Sequence, residues 1–310
     1  MTHDNAFKAL SDHANHLAGI SGQPDLRKRL EQLLDDAFTE MLGAERRTDP
    51  MFGSHAATVA LSHHAYGCEA RLIEQATILA CEAQPHLQVV RLDRAIPLVE
   101  AAWQALRGND WSELEGIRLP SRVFAEDSYM PDLVVIDRRT REAFLFDIKR
   151  SVDSKPSRAR GLMEKLKAAA LVAPDWLALM AKVHSVACTR IAILDASGAV
   201  DDPKQGILPL AALEQVLDIP GFAAALASLR RRFSVRLEQE LDRLQAATRS
   251  EERGGPENDA GLETDGPSDR PGTAAKVSHM QGSADRQPRP RSGRRVGFVT
   301  LPSGEDEDAA

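Results

Sequence analysis

Two spacings of apolar residues predict the secondary structure over the first 250 residues of the chain. Apolar residues at three- and four-residue steps predict helices over 6–20, 25–46, 54–83, 96–107, 157–172 and 220–247. Short apolar or extended runs predict strands over 86–92, 117–124, 133–136, 143–148 and 189–194. Because helices and strands interleave along the chain, the pattern favours an α/β core with helical additions.

The composition changes beyond Ser250, where Gly, Pro, Asp, Ser and Arg dominate and large apolar residues almost disappear. Such a segment cannot bury enough apolar surface to offset the entropy lost on folding, so we predict a disordered tail. We therefore divide the chain into a helical segment (1–50), an α/β core (54–200), a helical extension (201–248) and the tail (249–310). The basic stretch 286–295 within the tail is a partner-docking signal, an export signal or sequence without a specific function.

Hydropathy, cysteine usage and charge exclude several classes of protein. No run of about eighteen apolar residues occurs, so we expect no membrane span, and the first residues lack the pattern of a secretory signal. Three distant cysteines without a CxxC pair fit the reducing cytoplasm. The histidine pairs His13/His16 and His63/His64 are better interpreted as surface or packing residues than as metal ligands. The formal net charge of −7 does not indicate a polyanion-binding protein, although local patches decide binding.

A β-hairpin is the most sharply predicted element of the chain. The apolar runs 133–136 and 143–148 flank the short polar segment 138–141, which is typical of two antiparallel strands joined by a tight turn. Phe144 and Phe146 stand at positions where an exposed edge strand would carry polar residues. We therefore expect the second strand of the hairpin to be covered on both faces.

Charged residues at the ends of these two strands form a candidate metal site. Asp132 opens the first strand, and Asp147 and Lys149 project to one side of the second while Ile148 points into the core. Burying such charges unpaired would cost several kcal/mol each, whereas a divalent cation between the carboxylates makes the arrangement favourable. Two carboxylates, water and a phosphate oxygen are typical Mg²⁺ ligands, and an adjacent ammonium offsets charge that develops during phosphodiester hydrolysis. The alternative is a solvent-edge ion pair worth at most about 1 kcal/mol.

This pattern resembles the PD-(D/E)xK nuclease superfamily, which has the restriction-endonuclease-like fold. The matching residues are Pro131-Asp132, a spacer of fourteen residues, and Asp147-Ile148-Lys149. The resemblance covers roughly residues 54–194 and implies a mixed central sheet flanked by helices. It also implies that Asp132 and Asp147 ligate Mg²⁺, with Mn²⁺ as an alternative, and that Lys149 is catalytic. The implied enzyme hydrolyses DNA in defence, repair or mobile-element processing, and RNA stays open as a substrate.

The family often places a further acidic residue on the helix before the hairpin. Glu69 is the predicted residue because it flanks the apolar stripe of the helix over 54–83, and Glu74 and Glu82 compete with it. The chain departs from the exonuclease-like members of the family, which carry Gln and Tyr on the helix after the hairpin. This departure weakens an assignment to that branch, and endo- versus exonuclease action stays open.

Local charge favours nucleic acid as the partner. Residues 137–167 contain ten basic and five acidic residues, a balance of +5 in a chain whose total is −7. Arg150, Arg158 and Arg160 are the predicted phosphate contacts, which would bind the backbone without reading sequence. For any one of them, a solvated helix face is the alternative.

Two other hypotheses about function stay open beside the enzyme. One is a catalytically inactive nuclease-fold protein that serves as a nucleic-acid-binding or scaffold module. The other is an all-helical interaction protein, which fails if residues 131–149 form a hairpin. The apolar stripe of the last helix could pack on the core, pair in a homodimer or bind a protein partner.

Overall fold

The computed structural model describes residues 24–44, 48–152, 156–184 and 186–253. Its α-helices are α1 (Pro24–Gly43), α2 (Ala56–Glu82), α3 (Glu100–Gly108), α4 (Pro156–Met180), α5 (Leu213–Val216) and α6 (Phe222–Arg253). Its strands are β1 (Leu87–Val89), β2 (Ile96–Leu98), β3 (Asp127–Tyr129), β4 (Leu133–Asp137), β5 (Glu142–Lys149), β6 (Cys188–Asp195) and β7 (Ile207–Pro209). The helix predicted over 6–20 and nearly all of the predicted tail lie outside these residues.

A mixed five-stranded sheet in the order β1-β4-β5-β6-β7 forms the centre of the fold. Strands β1, β4 and β5 pair antiparallel, whereas β6 and β7 continue the sheet in parallel pairing. Strands β2 and β3 form a separate antiparallel pair. The mixed α/β architecture predicted for the core is therefore confirmed.

Alternate residues of the central strands pack into cores on opposite faces of the sheet. Val134, Ile136 and Leu145 pack against apolar residues of α4. Leu133, Val135 and Phe146 pack on the other face, with apolar residues of α2 and the start of α6. Burial of both faces explains why β5 reads as a continuous apolar run, as predicted from its two phenylalanines.

Helices α1, α2 and α6 pack together through a third apolar cluster. The rings of Phe38 and Phe233 lie 5.1 Å apart in an edge-to-face arrangement, which joins α1 to α6. Leu226, Leu229 and Phe233, the first part of the α6 stripe, are buried. Packing on the core therefore explains that part of the stripe. None of the helices in the described ranges combines the length and the apolar character that crossing a membrane requires.

Three predicted elements differ from the structure, and one strand was missed. The helix predicted over 96–107 begins only at Glu100, because Ile96–Leu98 pairs with β3 as a strand. The extended segment predicted over 117–124 contains no strand, and the strand of that region falls at Asp127–Tyr129. Helix α4 continues through Pro174 to Met180, since the buried Trp176 and Leu177 hold its last turns against the core. Strand β7 was not predicted.

Candidate functional site

The predicted hairpin is confirmed, and its turn has a local explanation. Strands β4 and β5 pair from Leu133 opposite Phe146 to Asp137 opposite Glu142. The Asp137 carboxylate accepts a 2.7 Å hydrogen bond from the backbone N–H of Arg139, and Arg141 adopts a positive φ of 63°. These features reverse the chain within four residues, so the all-helical hypothesis is wrong.

The sheet forks at the open end of this hairpin. Pairing between β4 and β5 stops at Leu133 and Phe146, whereas β5 stays paired with β6 as far as Lys149 opposite Asp195. Beyond the fork, the N–H of Ile148 donates to the Asp132 side chain, with 2.8 Å between nitrogen and Oδ2. The missing backbone partner is thus replaced by a carboxylate, which fixes Asp132 beside the end of β5.

Asp132, Asp147 and Lys149 converge at this fork. The Lys149 ammonium lies 3.4 Å from Asp132 Oδ2 and forms an ion pair with Asp147 Oδ1. The Asp147 side chain is only 5% exposed, against 31% for Asp132 and 42% for Lys149. The ammonium therefore lies between a buried carboxylate and a half-buried one.

The two carboxylate oxygens of Asp147 have different surroundings. Oδ2 accepts a hydrogen bond from the Tyr129 hydroxyl. Oδ1 is buried and is paired with the Lys149 ammonium. Oδ1 is therefore the oxygen of Asp147 that already faces a positive charge.

The charges at the fork shift one another's pKa values. Burial and the neighbouring Asp132 carboxylate raise the pKa of Asp147, while Lys149 and Tyr129 partly offset that rise. Burial acts to lower the pKa of Lys149, but its contacts with Asp147 and Asp132 outweigh this effect and leave that pKa above its usual value. These two contacts therefore favour the protonated form of Lys149.

Among the candidate acids of α2, Glu74 lines the same cleft as Asp132. Burial and then the Asp132 charge raise the pKa of Glu74, and Lys149 lowers it. The oxygens of Glu69 instead bind two arginines, Oε2 at 3.1 Å from Arg150 and Oε1 at 3.0 Å from Arg230. A catalytic role for Glu69 stays a prediction, but the structure pairs this carboxylate with arginines.

The third competing acid, Glu82, is also engaged by arginines. Its two oxygens lie 3.2 Å from Arg29 and 2.9 Å from Arg91. These contacts, partly offset by burial, hold its pKa below the usual range. Of the three glutamates considered on α2, Glu74 is thus the one whose charge is coupled to Asp132.

The donor set at the fork fits a hard divalent cation bound in part by water. Within the described ranges, no three His, Cys, Asp or Glu side chains are placed to hold a metal ion together. Asp132 and Asp147 would be the carboxylate ligands, with Oδ1 of Asp147, which faces the Lys149 ammonium, as one donor. Mg²⁺ commonly takes one or two carboxylates and fills its remaining positions with waters and substrate phosphates. His13 and His16 lie outside the described residues.

Two clefts open on either side of the fork. One, of about 250 Å³, is lined by Glu74, Arg91, Met130 and Asp132 among other residues. The other, of about 200 Å³, is lined by Lys149, Ser151, Arg158 and Leu162 among others. Asp132 therefore lines one cleft and Lys149 lines the other.

The three predicted phosphate contacts lie in different surroundings. Arg158 lines the same cleft as Lys149, and Arg160 is exposed two residues further along α4. The Arg150 guanidinium lies 3.9 Å from the ring centre of Tyr66, in addition to its ion pair with Glu69. Arg158 is consequently the predicted contact that shares a cleft with the candidate catalytic lysine.

Tyr129 is the site residue that the sequence did not indicate. It lies three residues before Asp132, on a strand that was predicted as part of no element. Its contact with Asp147 spans eighteen residues, and no motif connects the two positions.

Comparison of the chain with protein-family models, curated proteins and solved structures finds no match.

Proposed function

We propose that this protein is a metal-dependent nuclease that hydrolyses phosphodiester bonds in DNA and has a restriction-endonuclease-like core. The observation that carries the proposal is the convergence of Asp132, Asp147 and Lys149 at the fork between β4 and β5. Lys149 contacts both Asp132 and Asp147 there. Support also comes from the mixed sheet and the two clefts beside the fork.

Asp132 and Asp147 would hold Mg²⁺ or Mn²⁺ in this proposal. When bound, the ion activates water and neutralises charge on the phosphate. In the reaction, a water molecule gives up one proton to solvent as its oxygen attacks phosphorus, one P–O ester bond breaks, and the leaving oxygen takes a proton from solvent, so that water is added across the broken bond. Lys149 supplies a positive charge next to the phosphate, where negative charge accumulates in the transition state.

The basic residues beside the fork would hold the nucleic-acid backbone. Arg158 is placed to contact a phosphate next to the scissile one, because it shares a cleft with Lys149. Arg150 and Arg160 would contribute charge on either side. DNA as the substrate, a cytoplasmic location and the option of a homodimer belong to the same proposal, with RNA as the alternative substrate.

A second candidate function is a catalytically inactive nuclease-fold protein that binds nucleic acid or partner proteins. Two observations favour it: the Lys149 ammonium already contacts both carboxylates, and no third ligand joins them within the described ranges. In that case the ion pairs at the fork stabilise the hairpin and bind no metal.

Cleavage of defined substrates separates the two candidates. Supercoiled plasmid, linear DNA and RNA are incubated with Mg²⁺, Mn²⁺ or EDTA, using wild type, Asp147→Asn and Lys149→Ala. The control is Asp127→Asn, which removes an exposed carboxylate paired with Lys165. The nuclease predicts metal-dependent cutting by wild type and the control and none by the two site variants. Intact substrate that is nevertheless retained by the protein would favour the inactive module.

A further inference from the structure

The segment from Asp127 to Asp132 delivers two side chains to the fork, although only one belongs to the recognised motif. Asp132 reaches the end of β5 at the backbone of Ile148. Tyr129 reaches Asp147 from β3, where its ring is buried and its backbone pairs with that of the fully buried Ile96 on β2. The small β2–β3 sheet thus holds a tyrosine hydroxyl against the most buried carboxylate of the site.

This contact decides which oxygen of Asp147 faces Lys149. The hydroxyl donates to Oδ2, so Oδ1 is left facing the ammonium that also contacts Asp132. The terminal torsion of an aspartate is soft and roughly two-fold, so packing alone sets it only loosely. A hydrogen bond to one oxygen therefore fixes the rotation of the carboxylate.

We propose that Tyr129 is a positioning residue: its hydroxyl holds the Asp147 carboxylate so that Oδ1 is presented toward the Asp132 carboxylate for a divalent cation. This inference rests on the proposed function, because it assigns Asp147 as a metal ligand. Tyr129 acts through Asp147 and contacts neither the metal nor the substrate. Partners that hydrogen-bond a metal ligand orient it, and their removal typically weakens metal affinity by about 10- to 100-fold.

Metal binding without nucleic acid is the first test. Tyr129→Phe keeps the ring in the core and removes only the hydroxyl, and Mn²⁺ affinity is measured by electron paramagnetic resonance. We expect Tyr129→Phe to bind Mn²⁺ about tenfold more weakly than wild type. The matched control is Tyr66→Phe, which removes the same atom from a half-exposed tyrosine of α2 and is expected to leave Mn²⁺ affinity unchanged.

A spectroscopic signal tests the contact without deleting it. The chain has two tyrosines, so 3-fluorotyrosine incorporated into the Tyr66→Phe variant labels Tyr129 alone. Its ¹⁹F resonance should shift on titration with Mg²⁺, with the dissociation constant found by calorimetry. This measurement remains available if Tyr129→Phe fails to fold.

The outcomes separate the inference from the function on which it rests. If wild type binds no Mn²⁺ or Mg²⁺, the metal site and the role of Tyr129 both fail. The positioning role is overturned, and the nuclease proposal stands, in either of two cases in which wild type binds the metal. In the first, Tyr129→Phe binds the metal as tightly as wild type. In the second, the ¹⁹F resonance does not shift on addition of Mg²⁺. The positioning role is supported if Tyr129→Phe binds Mn²⁺ more weakly than wild type but is still saturated at high Mn²⁺, and if the ¹⁹F resonance shifts on addition of Mg²⁺.

Discussion

Replacing Lys149 by Met should destabilise the fold and make its stability depend on a bound metal ion. The substitution keeps most of the apolar stem and removes the ammonium that contacts Asp132 at 3.4 Å and pairs with the buried Asp147. The two carboxylates are then left without their positive partner. Because a divalent cation and the ammonium compete for the same oxygens, the variant should also bind metal more readily than wild type.

The size of the effect follows from burial. Removing one partner of a fully buried ion pair costs about 3–5 kcal/mol, because the other charge stays buried. Lys149 is 42% exposed and Asp132 is 31% exposed, so solvent screens part of this cost. We therefore expect the free energy of unfolding to fall by about 2 kcal/mol, which lowers Tm by roughly 4–8 °C in a fold of this size. Metal at 100 times its Kd should return about 2.7 kcal/mol.

Thermal unfolding with and without MgCl₂ measures both parts of this prediction. Lys149→Met should melt below wild type in EDTA and should gain more from Mg²⁺ than wild type does. Lys165→Met is the matched control, since its ammonium pairs with the half-exposed Asp127 and should cost at most about 1 kcal/mol with no response to Mg²⁺. Equal melting of Lys149→Met and wild type in EDTA, or a smaller response to Mg²⁺ in the variant, would refute the reasoning.

Three further predictions concern the acids and the basic rim. Glu74→Gln should weaken Mg²⁺ affinity, measured by calorimetry, because it removes a negative charge that acts on Asp132. Glu69→Gln should leave Mg²⁺ affinity unchanged. It should instead lower the free energy of unfolding by about 1 kcal/mol, because the ion pairs with Arg150 and Arg230 are lost. Because burial raises the pKa of Asp147, the folded state binds its proton more tightly than the unfolded chain, so its charge destabilises the metal-free fold at neutral pH. That cost should begin to shrink as pH falls through the raised pKa and should be gone below the ordinary pKa of an aspartate, while Mg²⁺-induced stabilisation fades over the same range in thermal melts. Arg158→Ala should weaken DNA binding similarly for all sequences and reduce the slope of log affinity against log salt by about 1, measured by fluorescence anisotropy; an unchanged slope would remove Arg158 from the interface.

The hairpin and its charged ends were predictable because their determinants are local. Alternation along β5 places Asp147 and Lys149 on one side, and the tight turn fixes their distance from Asp132. These relations hold within about twenty residues of sequence, so no knowledge of distant contacts was needed. The fold class followed for the same reason from the interleaved helices and strands.

The choice among the glutamates of α2 was not predictable from periodicity. Buried residues occur on several sides of this helix, including Leu72, Ile73, Ala76, Thr77 and Ile78, because α2 lies between two apolar clusters. A helix buried on more than one side has no single apolar stripe that identifies the face toward the hairpin. Glu69 flanks the stripe that packs on α1 and α6, whereas Glu74 lines the same cleft as Asp132.

The β2–β3 sheet was missed because its strands are three residues long and thirty residues apart. Ile96–Leu98 precedes a genuine helix, so its apolar residues extended the helical pattern by one turn. Strand β3 carries two exposed polar residues and one buried tyrosine, which makes no strand pattern by itself. Only the long-range pairing with β2 shows why Tyr129 lies at the site.

The central claim is that the fork between β4 and β5 is a metal-dependent phosphodiesterase site. The most direct measurement is the single-turnover rate of plasmid nicking in Mg²⁺ by wild type and by Asp147→Asn, prepared identically and both shown to be folded. The proposal predicts nicking by wild type that EDTA stops, and a loss of at least about a hundredfold in Asp147→Asn. Equal rates for the two proteins, or no nicking of DNA or RNA by wild type in either metal, would contradict it.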